Sequence, residues 1–216
     1  LHGFAITMET GSALAGVLVA VVINRMEPAV IVLMLAIFGL GFVGFFFIGF
    51  PLMFGGYSYA GYFGLDTALG SNLIGSGSWT FAWWSWDAFA LSNVPSALLP
   101  SVAAFFLYMV AFMDTTATIP TGSMAERWKF KSFIWWGLFC GAIYYPLFGA
   151  WTWGGGWLSQ LGNSLDFGFG YVDFAGSGIV HAMGGAAALA GAIVIGPRIG
   201  KFNADGSPNT IPGHHV

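Results

Sequence analysis

Polar positions are so sparse along this chain that its apolar runs extend almost unbroken for twenty or more residues, divided by short polar or glycine-rich segments. The runs do not alternate apolar with polar residues, as barrel strands facing lipid on one side would. A hydrocarbon core of about 30 Å takes about 20 helical residues to cross. Five segments reach or approach that length, and the pattern predicts transmembrane helices over 3–24, 29–54, 94–119, 132–153 and 174–196. The stretch 55–93, rich in Gly, Ser, Tyr and Trp, reads as an outer loop, and 197–216 as a polar linker with turn signals at Asp205-Gly206 and Pro212-Gly213.

Composition turns this pattern into a class. Hydrophobic residues are 57% of the chain and charged ones 7%, against about 45–50% and about 25% in soluble domains. The expected fold class is therefore an all-α polytopic membrane protein. Every basic residue falls on one side of the predicted crossings: Arg25 after the first, Arg127, Lys129 and Lys131 after the third, Arg198 and Lys201 after the fifth. Segments 55–93 and 154–173 carry no Lys or Arg. The positive-inside rule then places the basic side in the cytoplasm and the N-terminus outside, in a cell membrane.

Other chemistry is thin. A net charge of −3 offers no basic surface for nucleic acid. Cys140 has no partner cysteine and reads as a small packing residue. With four His and one Cys, and His214-His215 in a polar tail, no metal, haem or other cofactor is expected, and no enzyme activity. The segment before Arg25 starts without Met, lacks a basic n-region and carries Glu9, so it does not read as a signal peptide, and the chain reads as a fragment at both ends.

Two intramembrane groups stand out. His181 lies inside the last apolar run, eight residues after Asp173 and flanked by Ser177, Gly178, Gly184 and Gly185. Asp173 suits the head of a helix, where a carboxylate accepts free backbone N–H groups, and its fixed charge would also favour an arriving cation. At 1.5 Å per residue His181 sits about 12 Å deeper. Such a histidine either bonds across a helix interface or faces a pore. Asp114 lies within the third segment, beside Thr115, Thr116 and Thr118, which could satisfy it. Gly122–Phe130 is expected to form a short turn in which Glu126 and Arg127 could pair, and the loop tryptophans Trp79, Trp83, Trp84 and Trp86 suit the headgroup level.

Several separated segments carry a family resemblance. Asp173-Phe-Ala-Gly-Ser-Gly-Ile-Val-His181-Ala-Met-Gly-Gly resembles the fifth-helix signature of the Amt/Mep/Rh ammonium transporters. Gly122-Ser-Met-Ala-Glu-Arg-Trp-Lys-Phe130 resembles the turn after their third helix, Tyr145-Pro146 with Trp151-Thr-Trp-Gly-Gly-Gly-Trp157 the end of their fourth, and Gly196-Pro-Arg-Ile-Gly-Lys201 with Pro212-Gly-His-His215 the exit from their fifth in the plant-like and microbial branch. The region around Glu9-Thr-Gly11 is similar to a glutamate-containing first helix in part of the family.

The resemblance implies the first of two inverted five-helix repeats of an eleven-helix fold, with the second half missing and a homotrimer as the assembly. It implies ammonium and ammonia as substrates, recognised outside by Tyr108 and Trp153, with Phe112 as an outer gate and His181 lining the pore. Loss of a proton near Phe112 would let neutral ammonia pass. Met109 stands where the family has Gln, and Asp114 where it has a neutral residue. An ammonium sensor coupled to a cytoplasmic signalling domain or regulatory protein is the alternative.

Overall fold

The computed structural model describes residues 28–55, 71–75, 79–84, 89–92 and 94–211, and only the backbone of 28–33, 71–73 and 83. The expected first helix with Glu9, and Arg25, Asp66, Trp86, Asp87 and His214-His215, lie outside the described residues.

Proline dictates how the long helices run. A proline inside a helix loses its own N–H and presses on the carbonyl four residues back, and a wide π-type turn just before it relieves both. Helix α1 begins as Pro28–Gly44, widens over Phe45–Gly49 and resumes as Phe50–Phe54 around Pro51. Helix α3 repeats the device: Phe130–Phe139, a wide turn over Cys140–Tyr144, then Tyr145–Trp151 around Pro146. In both, the amide after the wide turn reaches five residues back, Phe50 to Phe45 and Tyr145 to Cys140. Helix α2 is Leu99–Ser123, α4 the short Leu161–Leu165, and α5 a wide turn Ser177–Ala182 continuing into Met183–Ile195. Four of these, Met34–Phe54, Leu99–Ser123, Phe130–Trp151 and Ser177–Ile195, are long and apolar enough to cross a membrane.

The bounds shift for local reasons. The segment expected at 94–119 starts at Leu99, because the Pro95 carbonyl first takes the amides of Leu98 and Leu99 in a turn at 2.8 and 3.0 Å. It runs through Pro120 to Ser123, since a proline one turn from the end forfeits few bonds, so Gly122 belongs to the helix and not to the turn. The segment expected at 174–196 starts at Ser177, after Gly176 at φ +95°. The outer segment 55–93 is not all loop: β1 (Ser71–Ile74) and β2 (Ala82–Trp84) form an antiparallel pair pairing Ser71 with Trp84. The pair is held to the post-α3 turn by the Trp157 N–H donating to the Thr80 carbonyl at 2.9 Å, and by Trp79 stacked on Trp157 at 6.4 Å.

Membrane helices associate by close packing, not by expelling water, so small residues and interlocked rings matter most. Gly141 of α3 faces Gly41 and Gly44 of α1, and a Cβ on it would lie 2.1 Å from the Gly41 carbonyl oxygen, while Gly137, four residues earlier, packs on Ile37 and Leu40. On the other side of α1, the buried Phe106 of α2 meets Phe42, Phe45, Phe46 and Phe50 at 5.4–5.7 Å. Cys140 is fully buried among these helices, as a packing residue would be.

The two basic segments meet at one end. Arg127 donates to the Ser123 carbonyl at the end of α2 and to the Gly196 carbonyl at the end of α5. The expected Glu126–Arg127 pair does not form: Glu126, at φ +67°, turns to Arg198 at 3.6 Å while Arg127 folds back over the helix ends. Placing Gly141→Val at the α1–α3 crossing is expected to destabilise the protein by about 1–3 kcal/mol or prevent folding, measured as the melting temperature in detergent. Gly39→Ala, where an added Cβ meets nothing within 4 Å, should leave it unchanged.

Candidate functional site

Asp173 organises the head of α5. A helix begins with unsatisfied N–H groups that hydrocarbon cannot solvate, and this carboxylate accepts them. Its Oδ1 takes the Gly176 N–H at 2.7 Å and the Ser177 hydroxyl at 3.3 Å; its Oδ2 takes the Gly178 and Ile179 N–H groups at 2.8 and 2.7 Å. Asp173 therefore caps α5 from four residues before its start at Ser177, which a left-handed Gly176 permits. Burial alone would push its carboxyl up, but the bonds from Ile179, Gly176, Gly178 and Ser177 outweigh that and hold it below the usual carboxylate range. Tyr171 lies over Gly178, and its phenol is pushed up by burial and by the neighbouring Asp173 charge.

The Asp173 backbone carbonyl has a second partner. The Trp153 indole N–H, in the turn just past α3, donates to it at 2.6 Å. Trp153 meets Phe112 of α2 edge to face at 5.1 Å, and Phe112 meets Tyr108, one turn earlier, edge to face at 5.0 Å. Phe112 also lies beside Gly176. The structure thus brings Tyr108, Phe112, Trp153 and Asp173 together, half-buried except for the buried Asp173, at the end opposite the basic residues.

His181 lies on α5 five residues past Gly176, about 7 Å further along the helix. It is exposed, at the edge of a broad open side that runs round α5 through Gly185, Leu189 and Ile193. Among the described residues no side chain hydrogen bonds to its ring. The small neighbours divide: Gly184 packs under Ile119 and Gly178 under Tyr171, whereas Ser177 and Gly185 share the exposed side.

Asp114 does not join the site. Two residues after Phe112, it is turned about 200° away around α2. Two of its three threonine neighbours bond elsewhere: Thr115 donates to the Ala111 carbonyl at 2.8 Å and Thr116 to the Phe112 carbonyl at 3.0 Å. Asp114 Oδ1 is buried with no hydrogen-bond partner among the described residues. One contact escaped the sequence: the Tyr144 hydroxyl donates to the Met183 carbonyl at 2.9 Å, tying α3 to α5 two residues past His181. No motif marks it, because the position arises from the wide turn in α3.

The capping carboxylate carries a pH signature. A pKa held below its ordinary value of 3.8 adds stability that is fully present above that value and is lost as pH falls through the lowered one. Asp173→Ala is expected to cost about 0.5–2 kcal/mol or more at neutral pH, as lost helix caps do. Melting temperatures of wild type and Asp173→Ala should converge as acid protonates the carboxylate; a constant gap would refute the assignment.

Comparison with known proteins places the chain in a family. The sequence model of the Ammonium Transporter Family matches residues 6–216. The chain is 39% identical over 181 residues to ammonium transporter Amt2 of Archaeoglobus fulgidus, covering 83% of this chain and 34% of that protein. It is 44% identical over 129 residues to ammonium transporter 1 member 3 of Solanum lycopersicum, covering 59% of this chain and 28% of that protein. Among solved structures, the chain titled Sensor Amt Protein superposes with a TM-score of 0.60 at 34% identity, covering 81% of this chain and 38% of that one. The chain thus spans about a third of the length of these relatives. With its fold, its helix-head signature and these matches in agreement, the chain belongs to the ammonium transporter family.

Proposed function

We propose that this chain forms the first half of a membrane protein that conducts ammonium as ammonia, in a cell membrane with its basic end in the cytoplasm. The observation that carries the reading is the contiguous Tyr108–Phe112–Trp153 cluster, pinned to Asp173 at one end of the bundle, with His181 further along the same helix. An ammonium ion over these rings gains about 0.5–2 kcal/mol from their π-faces, depending on desolvation. The fixed Asp173 charge adds attraction at the outer mouth.

Rings alone do not separate ammonium from potassium. Ammonium carries N–H donors and a removable proton, and moving the intact ion into hydrocarbon costs at least several kcal/mol. Release of the proton near Phe112, to water at the outer mouth or on along the His181 line, lets a neutral molecule pass, and His181 offers it a polar partner beyond the gate. The open His181 face of α5 supports a path completed by further chain, as the inverted-repeat reading of the family requires. A first crossing over 3–24, an outside N-terminus and a homotrimer belong to the same proposal.

One observation favours a second reading. The matched structure titled Sensor Amt Protein suggests a chain that binds ammonium and passes the signal to a cytoplasmic domain or partner. Full-length protein in proteoliposomes separates the two. Transport predicts ammonium-driven flux that Phe112→Ala and His181→Ala each lower at least tenfold, about 1.4 kcal/mol, with folding intact. Saturable ammonium binding without flux in the wild type would favour the sensor, and flux unaffected by both substitutions would overturn the proposed path.

A further inference from the structure

Two wide turns meet in the membrane-spanning part of the bundle. Tyr144 is the last residue of the wide turn in α3, and Met183 is the first residue after the wide turn in α5. The Tyr144 hydroxyl donates to the Met183 carbonyl at 2.9 Å. His181 lies inside the α5 turn, where amides reach five residues back: His181 to Gly176 at 2.9 Å, and Met183 to Gly178. A wide turn inserts one residue into a helix and swings the side chains beyond it by about 100°. The direction of the imidazole is therefore set where α5 is least regular, and a contact from outside the helix bears on it there.

Further along, α5 leans on α2. Gly184 packs under Ile119, the Ser123 hydroxyl donates to the Ala188 carbonyl at 3.1 Å, and Gly191 lies against Met124. At about 100° per residue, Gly184, Ala188 and Gly191 all fall on one side of His181, about 20–80° round from it, and Met183 lies about 160° round on that same side. His181 thus stands just past one end of the supported arc of α5, and the Tyr144 contact marks the other end. A helix supported along one line rolls on it, and a second support well round its circumference stops the roll. For a ring nitrogen about 6 Å from the helix axis, a roll of about 20° is a displacement of about 2 Å.

We propose that Tyr144 is a positioning residue for His181: its hydroxyl pins the roll of α5 and so holds the imidazole at the edge of the open side. The Tyr144 ring keeps its place without the hydroxyl, packed on Trp136 at 5.4 Å and Phe139 at 6.1 Å, so the hydroxyl is the part that reaches α5. A backbone carbonyl has two lone pairs, and the Met183 oxygen accepts the hydroxyl beside the bond it offers its own helix. In a medium without water the hydroxyl has few other acceptors, which favours keeping this one. The positioning rests on the geometry of α3 and α5; its consequence for ammonium flux rests on the reading of His181 as a pore group.

The test compares full-length wild type with Tyr144→Phe, which keeps the ring and removes only the donor. Solid-state NMR of histidine-labelled protein in bilayers reads the His181 ring nitrogens, identified as the signals that His181→Ala loses. Tyr144→Phe should shift or broaden those signals and leave the other histidine signals and the melting temperature as in the wild type. In proteoliposomes it should lower ammonium flux about fivefold, as misplacing a functional group does, and should have no further effect when His181 is already Ala. Unchanged His181 signals overturn the proposal. A melting temperature well below wild type, or an equal loss of flux in the His181→Ala background, marks Tyr144 as general support and overturns it as well. A wild type without flux would remove the transport reading alone, and the NMR comparison would still decide the positioning.

Discussion

Everything at the candidate site depends on one carboxylate doing the work that water does elsewhere. The head of α5 begins with backbone N–H groups that a lipid environment leaves unsatisfied, and Asp173 takes three of them together with a serine hydroxyl. The same residue offers its own carbonyl to Trp153. Through that pair of contacts α5 is joined to the turn past α3, and Trp153 is held where its ring meets Phe112. A charge that would be costly if isolated is here a structural fixture, because every strong donor around it is already aimed at it.

The opposite end is built from a cation. Arg127 reaches the carbonyl ends of α2 and α5, where helix dipoles are negative, and Arg198 answers Glu126 beside it. The bundle is therefore tied at one end by an anion meeting the start of α5 and at the other by a cation meeting two helix ends. Between the ties, packing is carbon on carbon: glycines bring α1 and α3 within backbone contact, and four phenylalanines of α1 enclose Phe106. Such packing leaves α5 held on only part of its circumference, with an open side that runs from His181 round to Ala190 and Val194.

Much of this was legible beforehand, for reasons that can be named. The apolar runs mark the crossings because about 20 helical residues are needed to span hydrocarbon. The placement of Arg127, Lys129, Lys131, Arg198 and Lys201 on one side follows from counting crossings between them. Asp173 as a cap follows from a carboxylate before an apolar helical run, and the nearness of Tyr108 to Phe112 from a four-residue spacing on one helix face. The contact of Phe112 with Trp153 joins α2 to the turn past α3, and its expectation rested on resemblance.

The sequence by itself determined that this is a bundle of membrane-crossing helices with its cations at one end, because hydrophobic length and charge placement are properties of the linear chain. Tertiary structure alone decided the partners. It turned Glu126 from Arg127 to Arg198, left Asp114 away from the aromatic site with two of its threonine neighbours bonded to their own helix, and used Tyr144 to join α3 to α5. Those outcomes depend on wide turns before Pro51 and Pro146 and on glycine contacts that rotate one helix against another. A rotation of one residue is about 100° around a helix axis, enough to exchange a pore-facing side chain for a packed one, and no one-dimensional pattern records it.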